Sequence, residues 1–156
     1  MKKFISALLA LALILSLAPR LPLTAHAATS GHYTYTVTNG EATITDYYIY
    51  GSGEIEIPSS LDGYKVTAIG DNAFASCEYL TGVVIPDGVT SIGDGAFSSC
   101  SKLKSVTIPQ SVTSMGDYVF SHCYRLSSVT LPENVDRIGD RAFYFCYDLK
   151  SITIPE

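Results

Sequence analysis

Between Ile69 and Ile154, apolar and polar residues return in the same order every 23 positions. Residues 69–91 read IGDNAFASCEYLTGVVIPDGVTS, and 92–114 read IGDGAFSSCSKLKSVTIPQSVTS. Residues 115–137 read MGDYVFSHCYRLSSVTLPENVDR, and 138–156 read IGDRAFYFCYDLKSITIPE, aligned without a gap. Phe74, Phe97, Phe120 and Phe143 fall in register, as do Cys77, Cys100, Cys123 and Cys146. Leu80, Leu103, Leu126, Leu149 and Pro86, Pro109, Pro132, Pro155 follow the same rule. A period of this length marks a solenoid, in which each unit buries an apolar face only by stacking on its neighbours.

Within one unit the pattern predicts the elements. Ser105-Val106-Thr107-Ile108 alternates polar and β-branched residues, as a half-buried strand does, with Val106 and Ile108 inward. Pro109 has no N–H to give a ladder and ends the strand at the same place in each unit. Val112 and Met115 form a second, shorter apolar pair. Gly116 permits a tight bend, and Asp117 is placed as a helix N-cap. Val119, Phe120, Cys123 and Leu126 then recur at helical spacing, predicting about two helical turns facing the core. Stacking brings equivalent strands into one parallel sheet, about 4.8 Å apart.

Ahead of the repeats the style changes. Tyr33, Tyr35 and Val37 alternate with threonines, Asn39-Gly40 follows, and Ala42 and Ile44 resume the alternation. This predicts a β-hairpin, which would close the open edge of the first coil. Ile55-Glu56-Ile57-Pro58 reads as the strand of an incomplete earlier unit, and five extra residues containing Asp62-Gly63-Tyr64 separate it from Val66. The expected fold is α/β: a right-handed, β-rich solenoid with a parallel sheet, short helical turns and an N-terminal β-hairpin cap.

The first residues are a targeting segment. Lys2 and Lys3 precede an apolar run from Phe4 to Ala18, and Ala25-His26-Ala27 is a small-x-small cleavage pattern. The run of 15 residues falls short of the roughly 20 a membrane span requires. Export follows, with residues 1–27 as signal peptide, 28–54 as cap and 55–156 as repeats. The mature chain is secreted or extracellular and does not insert in a membrane. The series stops four residues short of a full unit. A fragment of a longer, surface-attached protein and a small free protein both remain open, and the fragment is the reading adopted.

Charge narrows the partners. Cleavage removes Lys2, Lys3 and Arg20, leaving seven basic against fifteen acidic residues, a formal charge of −8. Such a surface repels nucleic-acid phosphates, and no nucleic-acid partner is expected.

Candidate chemistry is sparse. The four cysteines face the core once per unit and read as small buried thiols rather than a disulfide set. Asp71, Asp94, Asp117 and Asp140 form a column that helix capping explains without calcium, since one carboxylate per 23 residues is too few oxygens. No G-x-S-x-G, P-loop or H-E-x-x-H occurs, so the chain is read as non-catalytic, with no cofactor and no metal. The surface remains. Outward strand positions Gly82/Val84, Ser105/Thr107, Ser128/Thr130 and Ser151/Thr153 form a hydroxyl ladder. The predicted helix edge changes from Gly95, Ser98, Ser99 and Ser101 to Tyr118, Ser121, His122 and Tyr124, then to Arg141, Tyr144, Phe145 and Tyr147. Aromatic side chains dominate binding hot spots, so Tyr118, His122, Tyr124, Tyr144, Phe145 and Tyr147 are the candidate binding surface. The competing reading has them packing against a further repeat or domain.

The pattern L-x-x-V-x-I-P followed by V-x-x-I-G-D-x-A-F-x-x-C-x-x-L resembles the BspA-like class of bacterial leucine-rich repeats. The resemblance implies an adhesion or recognition protein, with host or neighbouring-cell proteins or glycans as partners. A structural spacer and a carbohydrate-binding accessory module are the alternatives.

Overall fold

A computed structural model describes residues 25–48 and 53–153. Residues 1–24 of the predicted targeting segment, and Ile154, Pro155 and Glu156 of the last unit, lie outside the described residues. The chain winds into stacked coils: coil 1 is residues 69–91, coil 2 is 92–114, coil 3 is 115–137, and coil 4 runs from 138 to 153.

Two sheets form two faces of the stack. The first holds β4 (Gly53–Glu56), β7 (Leu80–Val84), β9 (Ser105–Thr107), β11 (Ser128–Thr130) and β13 (Ser151–Thr153), paired in that order. Val83 faces Val106 and Ser128 faces Ser151 across parallel pairs, one whole unit apart. Val106 and Ile108 are buried while Ser105 and Thr107 are exposed, as the alternation predicts. The second sheet stacks the short strands β8 (Ser91–Ile92), β10 (Ser114–Met115) and β12 (Arg137–Ile138) on β6 (Tyr64–Ile69), all parallel.

The predicted hairpin is present. β2 (Tyr33–Thr38) and β3 (Glu41–Tyr47) run antiparallel through Asn39-Gly40, whose φ values of 55° and 83° are the positive pair a two-residue primed turn needs. β1 (His26–Ser30) adds a third antiparallel strand that begins just before the predicted cleavage point. The extra residues before Val66 form a second such hairpin, β5 (Ser60–Leu61) to β6, through Asp62-Gly63 at 49° and 88°. β3 has a double role. It pairs parallel with β6, placing Ile44 opposite Ile69, and so acts as the second-sheet strand of an incomplete coil ahead of coil 1.

The third face corrects the sequence reading, because among the described residues there is no helix. Val119, Phe120, Cys123 and Leu126 are all fully buried, so the spacing identified the inward side correctly. The backbone spends its donors differently. Asn72, Phe74 and Ser76 donate to the carbonyls of Asp94, Ala96 and Ser98 in the next coil; Gly95, Phe97 and Ser99 donate to Asp117, Val119 and Ser121; Tyr118, Phe120 and His122 donate to Asp140, Ala142 and Tyr144. Only the intervening residues bond back along their own chain, as Ala75 does to Asn72. Residues 72 and 76 and their equivalents take left-handed φ values, which turn alternate N–H groups toward the neighbour. A helix needs every residue right-handed and every N–H directed four residues back. Inter-coil bonding replaces it.

The aspartate column is likewise not a set of helix caps. Asp71 Oδ1 accepts the N–H of Asp94 at 2.9 Å, Asp94 Oδ1 that of Asp117 at 2.8 Å, and Asp117 Oδ1 that of Asp140 at 2.9 Å. Each carboxylate links one coil to the next, and Arg137 pairs with Asp117 at 3.2 Å. Gly116 serves close approach rather than φ, for a Cβ there would stand 2.6 Å from Asp94 N.

The core between the three faces is a column of rings. Tyr47 heads it, 4.8 Å from Phe74, and Phe74, Phe97, Phe120 and Phe143 follow with stacked centroids 4.9, 5.5 and 5.6 Å apart.

Candidate functional site

The turn face is where chemistry changes along the axis. Its left-handed positions hold Asn72 and Ser76 in coil 1 and Gly95 and Ser99 in coil 2. In coil 3 they hold Tyr118 (φ 56°) and His122 (61°), and in coil 4 Arg141 (54°) and Phe145 (59°). Glycine, asparagine and, less readily, histidine accept this conformation, whereas bulky residues are outliers in it. The cost is roughly 1–2 kcal/mol per residue. Ser76 and Ser99 bear it as well, and Tyr118, Arg141 and Phe145 are the bulkiest residues to do so.

The structure brings all six aromatic residues singled out from the sequence onto this face. Tyr124 and Tyr147 stack across coils at 5.5 Å with planes 13° apart. His122 stands edge-on to Tyr124, Tyr144 and Phe145 at 6.0, 5.9 and 4.9 Å. Tyr144 lies 4.0 Å from Phe145, which lies 5.6 Å from Tyr147. Ser121 Oγ and His122 Nδ1 share a hydrogen bond of 2.7 Å, and Ser121 is buried, so the imidazole is held from beneath. Arg141 completes the group. Its guanidinium donates to Tyr118 Oη at 2.8 Å and lies 5.8 Å from the ring centroids of both Tyr118 and Tyr144. Repeat register places Arg141 directly after Tyr118, but only the folded geometry reveals it as the bridge between them.

Exposure separates two readings of these rings. Coil 3 already carries a following coil, yet Tyr118 and Tyr124 remain 39% and 40% exposed. Tyr147, in coil 4, is 71% exposed. A following coil thus leaves the coil 3 tyrosines more than a third exposed.

The other candidates resolve into structure. Cys77, Cys100 and Cys123 are buried free thiols, and Cys146 is partly buried. Cys100, Cys123 and Cys146 donate to the carbonyls of Phe74, Phe97 and Phe120 at 3.1, 3.2 and 3.1 Å, a bond that ties each thiol to the preceding coil. Burial pushes the Cys77 thiol up to about 12 and Cys146 to about 11. The Cys100 thiol is pushed up as well, first by its hydrogen bond with Cys123 and then by burial. Thiols held protonated in this way are poor nucleophiles and poor ligands. Among the described residues no group of three His, Cys, Asp or Glu side chains converges as a metal set would. The hydroxyl ladder is shorter than its sequence suggests. Ser105, Thr107, Ser128, Thr130, Ser151 and Thr153 are exposed, but Gly82 is buried, and a Cβ there would lie 2.7 Å from the Glu54 side chain.

Several solved structures share this architecture. A leucine-rich repeat protein from Bacteroides capillosus is 31% identical, with 83% of this chain and 99% of that one covered and a TM-score of 0.75. A leucine-rich repeat protein of T. pallidum is 26% identical over 81% of this chain and 71% of its own, with a TM-score of 0.68. A leucine-rich cell surface protein from Faecalibacterium prausnitzii is 32% identical over 90% of this chain and 44% of that one, with a TM-score of 0.64. No curated protein matches the chain. The model for the BspA-type leucine-rich repeat region matches residues 42–156 in six copies, starting within β3, and the chain belongs to that family.

Proposed function

We propose that this chain is an exported, non-catalytic recognition module that binds macromolecules of a host or neighbouring cell through the aromatic platform of coils 3 and 4. One observation carries the reading. Tyr118, Arg141 and Phe145 occupy left-handed positions that coils 1 and 2 fill with Asn72, Ser76, Gly95 and Ser99. Glycine or asparagine would relieve the strain there, and bulky residues kept in such a conformation point to a candidate site. The platform contains side chains of the type that anchor interfaces, and it presents them rigidly, each coil clamped to the next by backbone bonds.

Export rests on the N-terminal segment, with its Lys2-Lys3 start, apolar run and small-x-small motif. The likeness to a cell surface protein at 32% identity supports the same location. The partners are proteins or glycans, because the acidic mature chain repels nucleic acid.

The test is a Tyr124→Ala, Tyr147→Ala double variant of the full chain, assayed for melting and for attachment to immobilised matrix proteins and glycans. Neither residue has a left-handed φ, and both rings are exposed, so melting should hold. Attachment should fall roughly thirtyfold, as removal of about 2 kcal/mol from an interface centre implies. Unchanged attachment, or collapse of the melting temperature, would return these rings to a packing role.

A further inference from the structure

The stack of side chains on the turn face has a gap at Gly95. Asn72 precedes it in register, with its amide lying over Gly95 (Oδ1 2.6 Å from where a Cβ would stand), and Tyr118 follows; all three line one hollow. The hollow is an open groove of about 400 Å³, within the range of small-ligand sites. Tyr118 and His122 line its coil 3 side, and Ser98 and Ser99 line coil 2. Asp94 lies on its rim and commits Oδ1 to the inter-coil ladder, leaving Oδ2 without a hydrogen bond among the described residues. Arg141 engages Tyr118 from coil 4, whereas Gly95 belongs to coil 2 on the opposite side of coil 3, and Tyr118 lines the groove.

From this arrangement we infer that the Gly95 groove is a subsite for a neutral sugar residue, which makes the ligand of the platform a glycan. The inference rests on the recognition reading above. A sugar ring presents one apolar C–H face and a rim of hydroxyls, and both have matching groups here. Tyr118 offers a flat aromatic surface for the C–H face. The Asp94 carboxylate can accept from two hydroxyls, and the Asn72 amide can both donate and accept. Anionic sugars are disfavoured, because Asp94 and Asp117 line the groove and the mature chain carries a net negative charge.

The fold supplies its own control. Asn72 occupies the position equivalent to Gly95 with φ of 56°, so a Gly95→Asn variant adopts a conformation the solenoid already accepts. The new Cβ would lie 2.6 Å from Asn72 Oδ1, so the Asn72 amide, the mobile end of a side chain, must shift, and the added amide narrows the groove that Gly95 lines. Tyr118→Asn removes the ring at another left-handed position that asparagine tolerates. Both variants and the full chain are measured for melting and for binding to immobilised neutral oligosaccharides built from galactose, glucose, mannose and N-acetylhexosamines, with heparin as the anionic control. The expected result is binding to at least one neutral glycan, weakened tenfold or more by each variant, with melting retained and heparin unbound. Absence of neutral-glycan binding at millimolar concentration overturns the inference, as does preferred binding to heparin or binding that survives Gly95→Asn. Attachment to matrix proteins that depends on Tyr124 and Tyr147 but ignores Gly95→Asn would overturn the sugar subsite alone and leave the platform reading intact.

Discussion

Coils 1 and 2 and coils 3 and 4 share a backbone on the turn face, but they dress it differently. In all four, the first and fifth turn residues are left-handed, from Asn72 and Ser76 through to Arg141 and Phe145. In the first pair Asn72 and Gly95 suit the conformation and the other two are small serines; in the second pair, histidine apart, they are bulky residues that do not suit it. The dihedral angles are therefore imposed by stacking, since three backbone bonds per interface fix the peptide planes whatever the side chain. This frees the side chain to be chosen for the surface, at a local cost in stability. One half of the solenoid shows small residues on this face, and the other half shows exposed aromatic rings.

The comparison is meaningful only if the core is common to both halves, and the largest expected effect tests that. Phe97 is fully buried between Phe74 and Phe120, so Phe97→Ala should cost about 3–5 kcal/mol. Phe143 is only partly buried and, among the described residues, stacks on Phe120 alone, so Phe143→Ala should cost roughly half as much. Urea unfolding measures both. Equal losses would mean that position along the axis does not set the packing.

A smaller effect probes the strain itself. Phe145→Asn should raise stability by about 0.5–1 kcal/mol, because relief of the left-handed conformation outweighs loss of exposed ring contacts. The opposite change at a tolerant position, Asn72→Tyr, should lower it by about 1 kcal/mol. Opposite signs in paired melting curves would sharpen the contrast between the halves. A loss of stability in both variants would show that the Phe145 ring is structural.

Much of this was legible in the sequence, and the part that was not has a definite cause. Gap-free register located the strands, the parallel pairing of Val83 with Val106, the phenylalanine column and the buried thiols. Asn39-Gly40 announced the cap hairpin. The helix expectation failed because burial at Val119, Phe120, Cys123 and Leu126 reports which side is inward, not where each N–H points. In a solenoid the hydrogen-bond partner is 22 or more residues away, as for Phe120 and Ala142, beyond any local periodicity. Asp94 was misread for the same reason: its acceptor role is real, but its donor is in the next coil. The six candidate aromatic residues, which the structure places on one face, were visible as departures from the repeat. Arg141 as their bridge and the hollow at Gly95 were not, because both arise from what neighbouring coils place side by side.

The smallest expected effect lies at the cap, which has no counterpart in the coils and is latched by side chains. Tyr35 Oη donates to Asp62 Oδ2 at 2.7 Å and Ser30 Oγ to Asp62 Oδ1 at 2.9 Å, joining the cap strands to the second hairpin turn. The hydrogen bond from Tyr35, then that from Ser30, holds the Asp62 carboxyl below its ordinary range. The same bond, more than burial, pushes the Tyr35 phenol up to about 12. The two shifts act at opposite ends of the pH scale. A carboxyl whose folded pKa is depressed contributes above its unfolded value, near 4, and that contribution fades as pH falls through the lower folded value. A phenol whose folded pKa is raised contributes below about 10, and the contribution is lost as pH climbs from there toward about 12. Melting curves of the full chain and of Asp62→Ala should therefore differ most between about pH 5 and pH 9 and draw together as the pH falls through the lowered Asp62 value. Hydrogen exchange at β1 and β2 should rise in the variant while the amides of coils 2 and 3 keep their protection. A uniform rise along the whole chain would show that the cap and the coils unfold as one unit and that the latch guards all of it.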